Sequence, residues 1–392
     1  MSLHAETRAI HAAAPDLGPS RPLSVPIYQT STFAFTDPAA CADALNDPAA
    51  GFAYSRYANP TTRALEDALA DLEGGAGAIA TSSGMGAINA VLLSVLRPGD
   101  HVIAQQCVYG GTFAVFADLA ARTGIAVSYI SGRDSAELTA AIRPESRLLY
   151  LETIANPTAA VSDMRALLAA GRAAGLTSVV DNTFATPLLC RPISCGADVV
   201  VHSATKYLGG HDDVTLGIIV TADAERHRSL WRHTTELGVA ADPFAAWLTL
   251  RGLKTLALRM DRHCANAAYL AGQLDGHPAV AKVHWPGLPG HPDHAVAAEL
   301  LSGFGGMLAF DLAGGRPAGL AFVSALQLAA MGPSLGGPET LVLHPASTSH
   351  RQLDPAGLHA AGISEGTIRV SAGLEHPDDL WADFLQALSA VR

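Results

Sequence analysis

The sequence predicts an α/β protein with two domains, a large one built on a mostly parallel sheet and a smaller C-terminal one. Short apolar runs alternate with helical segments from about residue 76 to residue 220, as in a parallel sheet with crossover helices. After residue 250 a long helical segment precedes a second set of strands. A chain of 392 residues also exceeds one ordinary hydrophobic core. We therefore expect a large domain at residues 61–251 and a small α/β domain at 252–392.

Residues 1–60 differ from both domains in composition. They contain seven prolines and show no sustained helical or strand periodicity. Such a segment has little hydrophobic core of its own. We expect an extended arm that contacts a neighbouring subunit.

The elements of the large domain follow from hydrophobic periodicity. Leu65, Leu69 and Leu72 are three and four residues apart, which predicts a helix from residue 61. The run AIATSSG predicts a strand and a turn, and an apolar helix opens at Ser83 and Gly84. Further strands are expected at residues 101–106, 125–130, 147–152, 178–183, 198–201 and 216–220, with helices at 113–123 and 223–236.

The small domain is expected to begin with a single long amphipathic helix at residues 251–274. Strands are then predicted within residues 277–288, 305–312, 325–331 and 367–374, with helices near 316–324 and 376–391.

Composition excludes several classes of function. The net charge of −11 argues against a nucleic-acid groove or an anionic membrane surface as partner. The five cysteines form no CxxC pair, so neither a disulfide framework nor a metal site is indicated. The longest apolar run is too short to span a membrane. We expect a cytoplasmic protein that contains no metal.

The stretch HSATKYLGGH, residues 202–211, follows an apolar strand and places Lys206 where that strand reaches a cleft. Gly209 and Gly210 let the backbone pass close to a bulky group. A lysine there belongs either to an ordinary surface turn or to a Schiff-base site, where burial or a cationic neighbour must lower its pKa. A metal hydrolase built on the adjacent GGHDD would need further ligands at set spacings, and none are evident.

Polar residues follow one predicted strand after another. In an open α/β sheet the ligand lies beyond the carboxyl ends of the strands, so these residues should meet at one edge. The set is Ser83, Gly84, Tyr109, Glu152, Asn156, Asp181, Thr183, Ser203, Thr205 and Lys206.

These residue types suit a cofactor that has an aldehyde, a phosphate and a pyridine ring. Backbone N–H groups at the helix start after Ser83, with the hydroxyls of Ser203 and Thr205, are suitable phosphate ligands. A carboxylate such as Asp181 keeps a ring nitrogen protonated, so that the ring withdraws electrons. Tyr109 offers an aromatic face for the ring. A cofactor-free Schiff-base aldolase would use Lys206 but would leave the other groups without a role. A non-catalytic binding protein would contain no such cofactor and would therefore be colourless.

An ordered set of motifs along most of the chain agrees with the interpretation as a cofactor site. It comprises YSRYANPT, SSGMGA, VYGGT, VVDNTFATP, HSATKYLGGH, RGLKTL, SLGG, HPAS and IRVSAGLE. Together they resemble the pyridoxal-phosphate enzymes of Cys/Met metabolism, which include the methionine and cystathionine γ-lyases. The resemblance implies a fold-type I transferase-like fold and pyridoxal 5′-phosphate (PLP) as cofactor. It also implies a homotetramer, a dimer of dimers with shared active sites.

The resemblance further implies a role for each matching residue. Lys206 would bind the cofactor covalently and move protons, Asp181 would pair with the ring nitrogen, and Tyr109 would stack on the ring and act as an acid or base. The implied cofactor-binding residues are Tyr54, Arg56, Ser83, Gly84, Met85, Tyr109, Asp181, Thr183, Ser203, Thr205 and Lys206, with Tyr54 and Arg56 reaching in from a neighbouring subunit. The implied substrate-binding residues are Asn156, Ser334 and Arg369.

The substrate is expected to be a small thioether amino acid. At the positions of Ala53 and Pro333, cystathionine γ-lyases tend to carry acidic residues that suit the distal charges of cystathionine. Gly111 replaces a cysteine that is typical of methionine-specific lyases, and Asp212 adds an unusual charge. Methionine γ-elimination, giving a thiol, 2-oxobutanoate and ammonia, is the first expectation. Cystathionine γ-lyase activity, and γ-replacement on an O-acyl homoserine, remain alternatives.

Overall fold

Two β-sheets, one of seven strands and one of five, organise the part of the chain that the structure describes. The structure is a computed structural model and describes residues 3–11, 22–351 and 354–391. No helix within these ranges is long and apolar enough to cross a membrane.

The seven-stranded sheet is mostly parallel, as predicted. Its strand order is β1-β7-β6-β5-β4-β2-β3, and β7 alone runs antiparallel to its neighbours. The strands are β1 (Gly77–Thr81), β2 (His101–Gln105), β3 (Ala126–Ile130), β4 (Ser146–Glu152), β5 (Thr177–Asp181), β6 (Val199–Ser203) and β7 (Gly217–Thr221). These bounds confirm the predicted strands to within two residues at each end.

Both faces of this sheet are buried. Val180 and Val200 contribute to the core on one face, and Val179, Val199 and Val201 to the core on the other. Because successive side chains of a strand project to opposite faces, strands covered on both sides must be apolar throughout. This explains the continuous apolar runs of the sequence.

The five-stranded sheet lies in the C-terminal part, in the order β10-β11-β12-β9-β8. Its strands are β8 (Val280–His284), β9 (Met307–Leu312), β10 (Ala330–Met331), β11 (Leu341–Leu343) and β12 (Thr367–Ser371). The strand predicted at residues 325–331 is therefore confined to its last two residues. Gln327, Leu328 and Ala329 instead donate their N–H groups to the Asp383 carboxylate, so they join no strand.

Helices connect the strands and cover the sheets. They are α1 (Ala5–Ile10), α2 (Pro38–Asn46), α3 (Pro60–Glu73), α4 (Gly84–Val95), α5 (Gly110–Thr123), α6 (Ser135–Ala141), α7 (Met164–Ala173), α8 (Thr186–Leu189), α9 (Pro192–Cys195), α10 (Ala224–Leu237), α11 (Pro243–Leu253), α12 (Leu256–Leu274), α13 (His294–Leu300), α14 (Gly315–Ala325), α15 (Pro355–Ala360) and α16 (Pro377–Ser389). Two 3₁₀ turns lie at Pro48–Ala50 and Pro345–Ser347.

The N-terminal 60 residues are not extended throughout, which corrects the prediction. The helix α2 begins at Pro38, and the Asp37 carboxylate accepts the N–H groups of Ala39 and Ala40. Aspartate as N-cap with proline at the first helical position is a start signal that the count of prolines obscured. The division into arm, large domain and small domain stays a prediction.

The single helix predicted at residues 251–274 is two helices, α11 and α12. The Arg259 guanidinium is buried and donates to the Gly252 carbonyl at 2.8 Å and to the Tyr207 carbonyl at 2.7 Å. The Thr255 N–H group also donates to the Gly252 carbonyl. Because these donors occupy the carbonyl that a continuous helix would use, the helix ends here.

Gly252 brings α11 against the loop that follows Lys206. A Cβ atom at Gly252 would lie 2.2 Å from the Gly209 carbonyl oxygen and 2.7 Å from that of Leu208. These are backbone atoms, which cannot rotate away as a side chain can. Glycine is therefore required where the helix supports the loop.

The substitution Gly252→Ala is expected to destabilise the protein by about 1–3 kcal/mol, because the added methyl group overlaps backbone oxygens. Gly272→Ala is the matched control, since Gly272 also lies in a helix but faces open space. Alanine there should be neutral or stabilising by about 0.5–1 kcal/mol. Thermal unfolding of the two variants measures the difference. Equal effects would show that the contact between α11 and the loop is not tight.

Candidate active site

A cleft opens at the carboxyl edge of the large sheet. It collects side chains from the ends of five strands and from the C-terminal part of the chain, as the position of ligand sites in such sheets predicts. The predicted site residues that line it are Ser83, Gly84, Met85, Tyr109, Asn156, Asp181, Thr183, Ser203, Thr205, Lys206 and Arg369.

The N-terminus of α4 forms one wall of the cleft. The Ser83 hydroxyl accepts the Gly86 N–H group at 3.0 Å and caps the helix. A Cβ atom at Gly84 would lie 2.8 Å from the Ser203 Cβ atom, so glycine permits β6 to approach the helix closely. The first N–H groups of a helix have no partner within it and favour an anion. The N-terminus of α4 and the adjacent end of β6 therefore form a cradle for an anionic group.

Asp181 lies at the end of β5 and lines the same cleft as Lys206. Its Oδ1 atom accepts the Thr183 N–H group at 3.0 Å and the Thr183 hydroxyl at 2.5 Å. The Thr183 hydroxyl in turn accepts the Ser203 N–H group at 2.9 Å. Burial raises the pKa of Asp181, and the hydrogen bonds from Thr183 oppose that rise. The carboxyl group is thus held in one orientation.

The Lys206 amine lies at the centre of the cleft and donates to the Ser334 hydroxyl at 2.9 Å. Burial lowers the pKa of Lys206, and the positive charge of Arg369 lowers it further. The Asp212 carboxylate acts in the opposite direction. A lysine with a lowered pKa keeps a larger fraction of neutral, nucleophilic amine. Lys206 thus lies in a turn that lines the cleft, and its attachment to a cofactor stays a prediction.

Two buried polar atoms near Lys206 have no hydrogen-bond partner among the described residues, Arg369 Nε and Asn156 Oδ1. The Arg369 guanidinium is 3% exposed and donates through Nη2 to the Ser334 carbonyl. Burial lowers the pKa of Arg369 to about 10. An unpaired buried polar atom costs about 1–3 kcal/mol, so both atoms suit a polar ligand.

Tyr109 forms the outer wall of the cleft. It precedes α5 and is 46% exposed. A Cβ atom at Gly111 would lie 2.5 Å from the Tyr109 ring and 2.9 Å from the Met85 sulfur. Glycine at position 111 therefore leaves room for the ring in this position.

Tyr54 and Arg56 do not line the cleft of their own chain. The Arg56 guanidinium donates to the Thr235 carbonyl at 2.8 Å and lies 4.8 Å from the centre of the Tyr57 ring. Tyr54 is 43% exposed. The structure thus brings the other predicted site residues together in one cleft, with Ser334 joined to it through its contact with Lys206. Tyr54 and Arg56 lie apart from that cleft.

Glu152 was expected at this edge of the sheet but was given no role, and the pair Glu73–His202 was not predicted as part of the site. Glu152 lines the cleft and lies opposite Asp181 in the pairing of β4 with β5. His202 also contacts the cleft, and its Nε2 atom lies 2.7 Å from Glu73 Oε1, with both side chains fully buried. The predicted position of Glu152 at the end of its strand is confirmed. Glu73 ends a helix far away in sequence, so no local signal pointed to it.

The cleft suits pyridoxal 5′-phosphate. The cradle at Gly84 suits a phosphate, the buried Asp181 carboxyl suits a ring nitrogen, and Lys206 offers a nucleophilic amine for an aldehyde. The unpaired Arg369 Nε atom suits an amino-acid carboxylate. Fold and cleft together define an α/β enzyme that acts on an amino acid through a bound aldehyde cofactor.

Comparison with known proteins identifies the family. Residues 6–389 match the family described as Cys/Met metabolism PLP-dependent enzyme. The chain is 45% identical to an L-methionine gamma-lyase of Pseudomonas deceptionensis, over 98% of this chain and 97% of that one. It is 40% identical to an O-succinylhomoserine sulfhydrylase of Pseudomonas aeruginosa, over 93% and 90%. It superposes on the cystathionine gamma synthase of Xanthomonas oryzae pv. oryzae with a TM-score of 0.94 and 41% identity, over 100% and 99%.

The chain therefore belongs to the Cys/Met metabolism family of PLP-dependent enzymes. Its fold is the fold-type I arrangement that the resemblance implied. It uses PLP and catalyses an elimination or a replacement in the metabolism of sulfur amino acids. The predicted family, fold, cofactor and enzyme class are confirmed.

The charges around Lys206 predict how its reactivity depends on pH. Arg369→Met removes a cation, so the pKa of Lys206 should rise and covalent uptake of PLP by the cofactor-free protein should need a higher pH. Asp212→Asn removes an anion, so the pKa should fall and the midpoint of uptake should move to a lower pH. Absorbance of bound PLP against pH gives both midpoints.

The control for this pair is Arg351→Met, since Arg351 is exposed. Its midpoint should equal that of the unmodified protein. If the pH midpoint of PLP uptake moves in the same direction in the Arg369 and Asp212 variants, their charges do not control the pKa of Lys206 as described.

Proposed function

We propose that the chain catalyses PLP-dependent γ-elimination of a small thioether amino acid, methionine first, giving a thiol, 2-oxobutanoate and ammonia. The observation that supports this substrate is the apolar wall of the cleft that holds Lys206. Pro333, Leu335 and Ile154 contribute to the lining, and the distal end of a substrate would extend along them. Such a wall suits a methylthio group and offers no counter-charge to the distal groups of cystathionine.

The proposed contacts to the cofactor follow from the positions of the side chains. Lys206 would hold PLP covalently, Asp181 would hold its ring nitrogen, and Tyr109 would cover one face of its ring. The phosphate would occupy the cradle formed by Ser83, Gly84, Met85, Ser203 and Thr205. Thr183 would act through Asp181, which it orients.

When bound, PLP supplies an electron sink that stabilises negative charge at the substrate Cα atom. The substrate carboxylate would bind Arg369 through Nε and Nη, with Asn156 beside it, because these atoms are buried and suited to an anion. Once the substrate amine has displaced it from the cofactor, the Lys206 amine would take the proton from Cα, since its lowered pKa keeps part of it neutral and the Ser334 hydroxyl orients it. Tyr109 would donate a proton to the departing sulfur.

Cystathionine is the second candidate substrate, and Asp212 favours it. This residue has a φ of 56°, a left-handed conformation that few side chains adopt, and its carboxylate lies close enough to Lys206 to alter the lysine pKa. A carboxylate this close to Lys206 suits the distal ammonium group of cystathionine. γ-Replacement on an O-acyl homoserine is the third candidate. It is supported by the sulfhydrylase and the synthase among the relatives.

We also propose a homotetramer, a dimer of dimers in which residues 1–60 act as an arm against the neighbouring subunit. Tyr54 and Arg56 lie away from their own cleft, on a partly exposed segment, and Leu23, Ile27 and Tyr28 expose apolar surface next to it. In this assembly Tyr54 and Arg56 would reach the phosphate of the adjacent site. Residues 61–251 would form the PLP-binding domain and residues 252–392 the small domain.

Turnover of the PLP-loaded protein on three substrates tests the reaction. We expect the highest kcat/KM on methionine, with methanethiol and 2-oxobutanoate formed in equal amounts, because the distal wall is apolar. Cystathionine, and O-succinyl homoserine with added thiol, are the comparison substrates. A higher kcat/KM on cystathionine, lost in Asp212→Asn, would replace methionine by the second candidate. Replacement faster than elimination would support the third.

Mixing of inactive subunits tests the shared site. Lys206→Ala and Arg56→Ala should each be inactive alone. In the proposed dimer each site takes Lys206 from one chain and Arg56 from the other. A hybrid of the two variants therefore has one site in which both residues are unmodified. Random reassortment should restore about a quarter of the activity of the unmodified protein. Lys206→Ala mixed with Asp181→Ala is the control and should restore none, because both residues line the same cleft. Failure of the first mixture to recover activity would show that Arg56 serves its own chain.

A further inference from the structure

A second buried carboxyl group lies beside Asp181, that of Glu152. The strands β4 and β5 pair in parallel with Glu152 opposite Asp181, and Glu152 is 4% exposed. Residues opposite each other on neighbouring strands project to the same face of the sheet, so both carboxyl groups point into the cleft region. A second acid so close to the first needs a reason, because two adjacent buried charges repel.

The two oxygen atoms of Glu152 each accept a backbone N–H group from a different part of the site. The Tyr109 N–H group donates to Oε1 at 2.5 Å, and the Asn156 N–H group to Oε2 at 3.4 Å. Tyr109 follows β2, whereas Asn156 follows β4. One carboxyl group therefore ties together the two segments that carry Tyr109 and Asn156.

The backbone of Glu152 is itself held firmly. Its N–H group donates to the Gln105 side-chain oxygen at 2.9 Å, and its carbonyl accepts the Ser162 hydroxyl at 3.4 Å. Tyr109 leads directly into α5, where its carbonyl accepts the Phe113 N–H group at 3.0 Å, but its side chain caps none of the helix N–H groups. The contact with Glu152 is thus the link between β4 and the start of α5.

Charge is distributed unequally between the two acids. Burial, and then the neighbouring Asp181, raise the pKa of Glu152 well above its ordinary value. Thr183 stabilises the ionised form of Asp181 through two hydrogen bonds. A neutral Glu152 is favoured beside an ionised Asp181, so Glu152 fixes its neighbours without adding a second charge.

We infer that Glu152 is a positioning residue whose carboxyl group fixes the Tyr109 ring relative to Asn156, and so sets the width of the slot that receives the PLP ring and the substrate. The inference rests on the roles proposed above for Tyr109 and Asn156. It does not depend on which sulfur amino acid is the substrate.

The experiment compares Glu152→Ala, Glu152→Gln and the exposed control Glu145→Gln as PLP-loaded proteins. The first readout is the visible circular dichroism of bound PLP without substrate, which reports how asymmetrically the ring is held. Glu152→Ala should lower that signal at least two-fold and lower kcat/KM about 100-fold, because the Tyr109 segment is no longer held. Glu145→Gln should change neither.

Glu152→Gln supplies the rescue. Its amide oxygen can still accept the Tyr109 N–H group, whereas its NH2 group cannot accept that of Asn156, so the dichroism should recover in part and kcat/KM should recover about ten-fold of the loss. If Glu152→Ala does not fold, Glu152→Asp replaces it. Aspartate keeps the carboxyl group but is one methylene too short to reach both N–H groups, so it should behave as alanine does.

Unchanged dichroism and kcat/KM in the alanine or aspartate variant would overturn the inference. So would a loss that glutamine does not reverse, because the role would then require the acid itself. Tyr109→Ala distinguishes this failure from that of the proposed function. If Tyr109→Ala leaves the dichroism unchanged, the proposed role of Tyr109 is wrong and the inference falls with it. If Tyr109→Ala lowers the dichroism and the Glu152 variants do not, the inference alone is wrong.

Discussion

The rest of this site depends on the electrostatic repulsion between Lys206 and Arg369. Both cationic side chains line one cleft, burial lowers the pKa of each, and the positive charge of Arg369 lowers the pKa of Lys206 further. Ser334 links them, since its hydroxyl accepts from Lys206 and its carbonyl accepts from Arg369. The arrangement lowers the pKa of the lysine and leaves the Arg369 Nε atom available for an anion. The cleft therefore offers a nucleophilic amine and a site for a carboxylate.

The scaffold holds these charges in place through backbone contacts. β6 delivers the chain to Lys206, and the loop beyond it is fixed by the Arg259 guanidinium and by the close approach of Gly252. On the opposite side, the acids Asp181 and Glu152 end adjacent strands, and hydrogen bonds hold each of them. A substitution that moves one of these backbone segments should therefore alter the chemistry without touching a reacting group.

The parts of the fold that depend on local pattern were predictable. Apolar runs predicted the seven strands of the large sheet, and their order along the chain predicted which polar residues meet at its carboxyl edge. The second sheet was predicted less well, because the segment at 325–331 satisfies its backbone through the distant Asp383. The break between α11 and α12 depends on the buried Arg259, whose partner Tyr207 is remote in sequence. Glu73 and its contact with His202 are hidden for the same reason.

The attachment point of the cofactor is the central claim, and the chain offers a sharp test of it. It contains three lysines, of which Lys254 and Lys282 are exposed. The PLP-loaded protein should be yellow, and borohydride reduction followed by peptide mass spectrometry should find the pyridoxyl group on Lys206 alone. Modification of Lys254 or Lys282 instead, or a protein that binds no PLP, would contradict the account of the site.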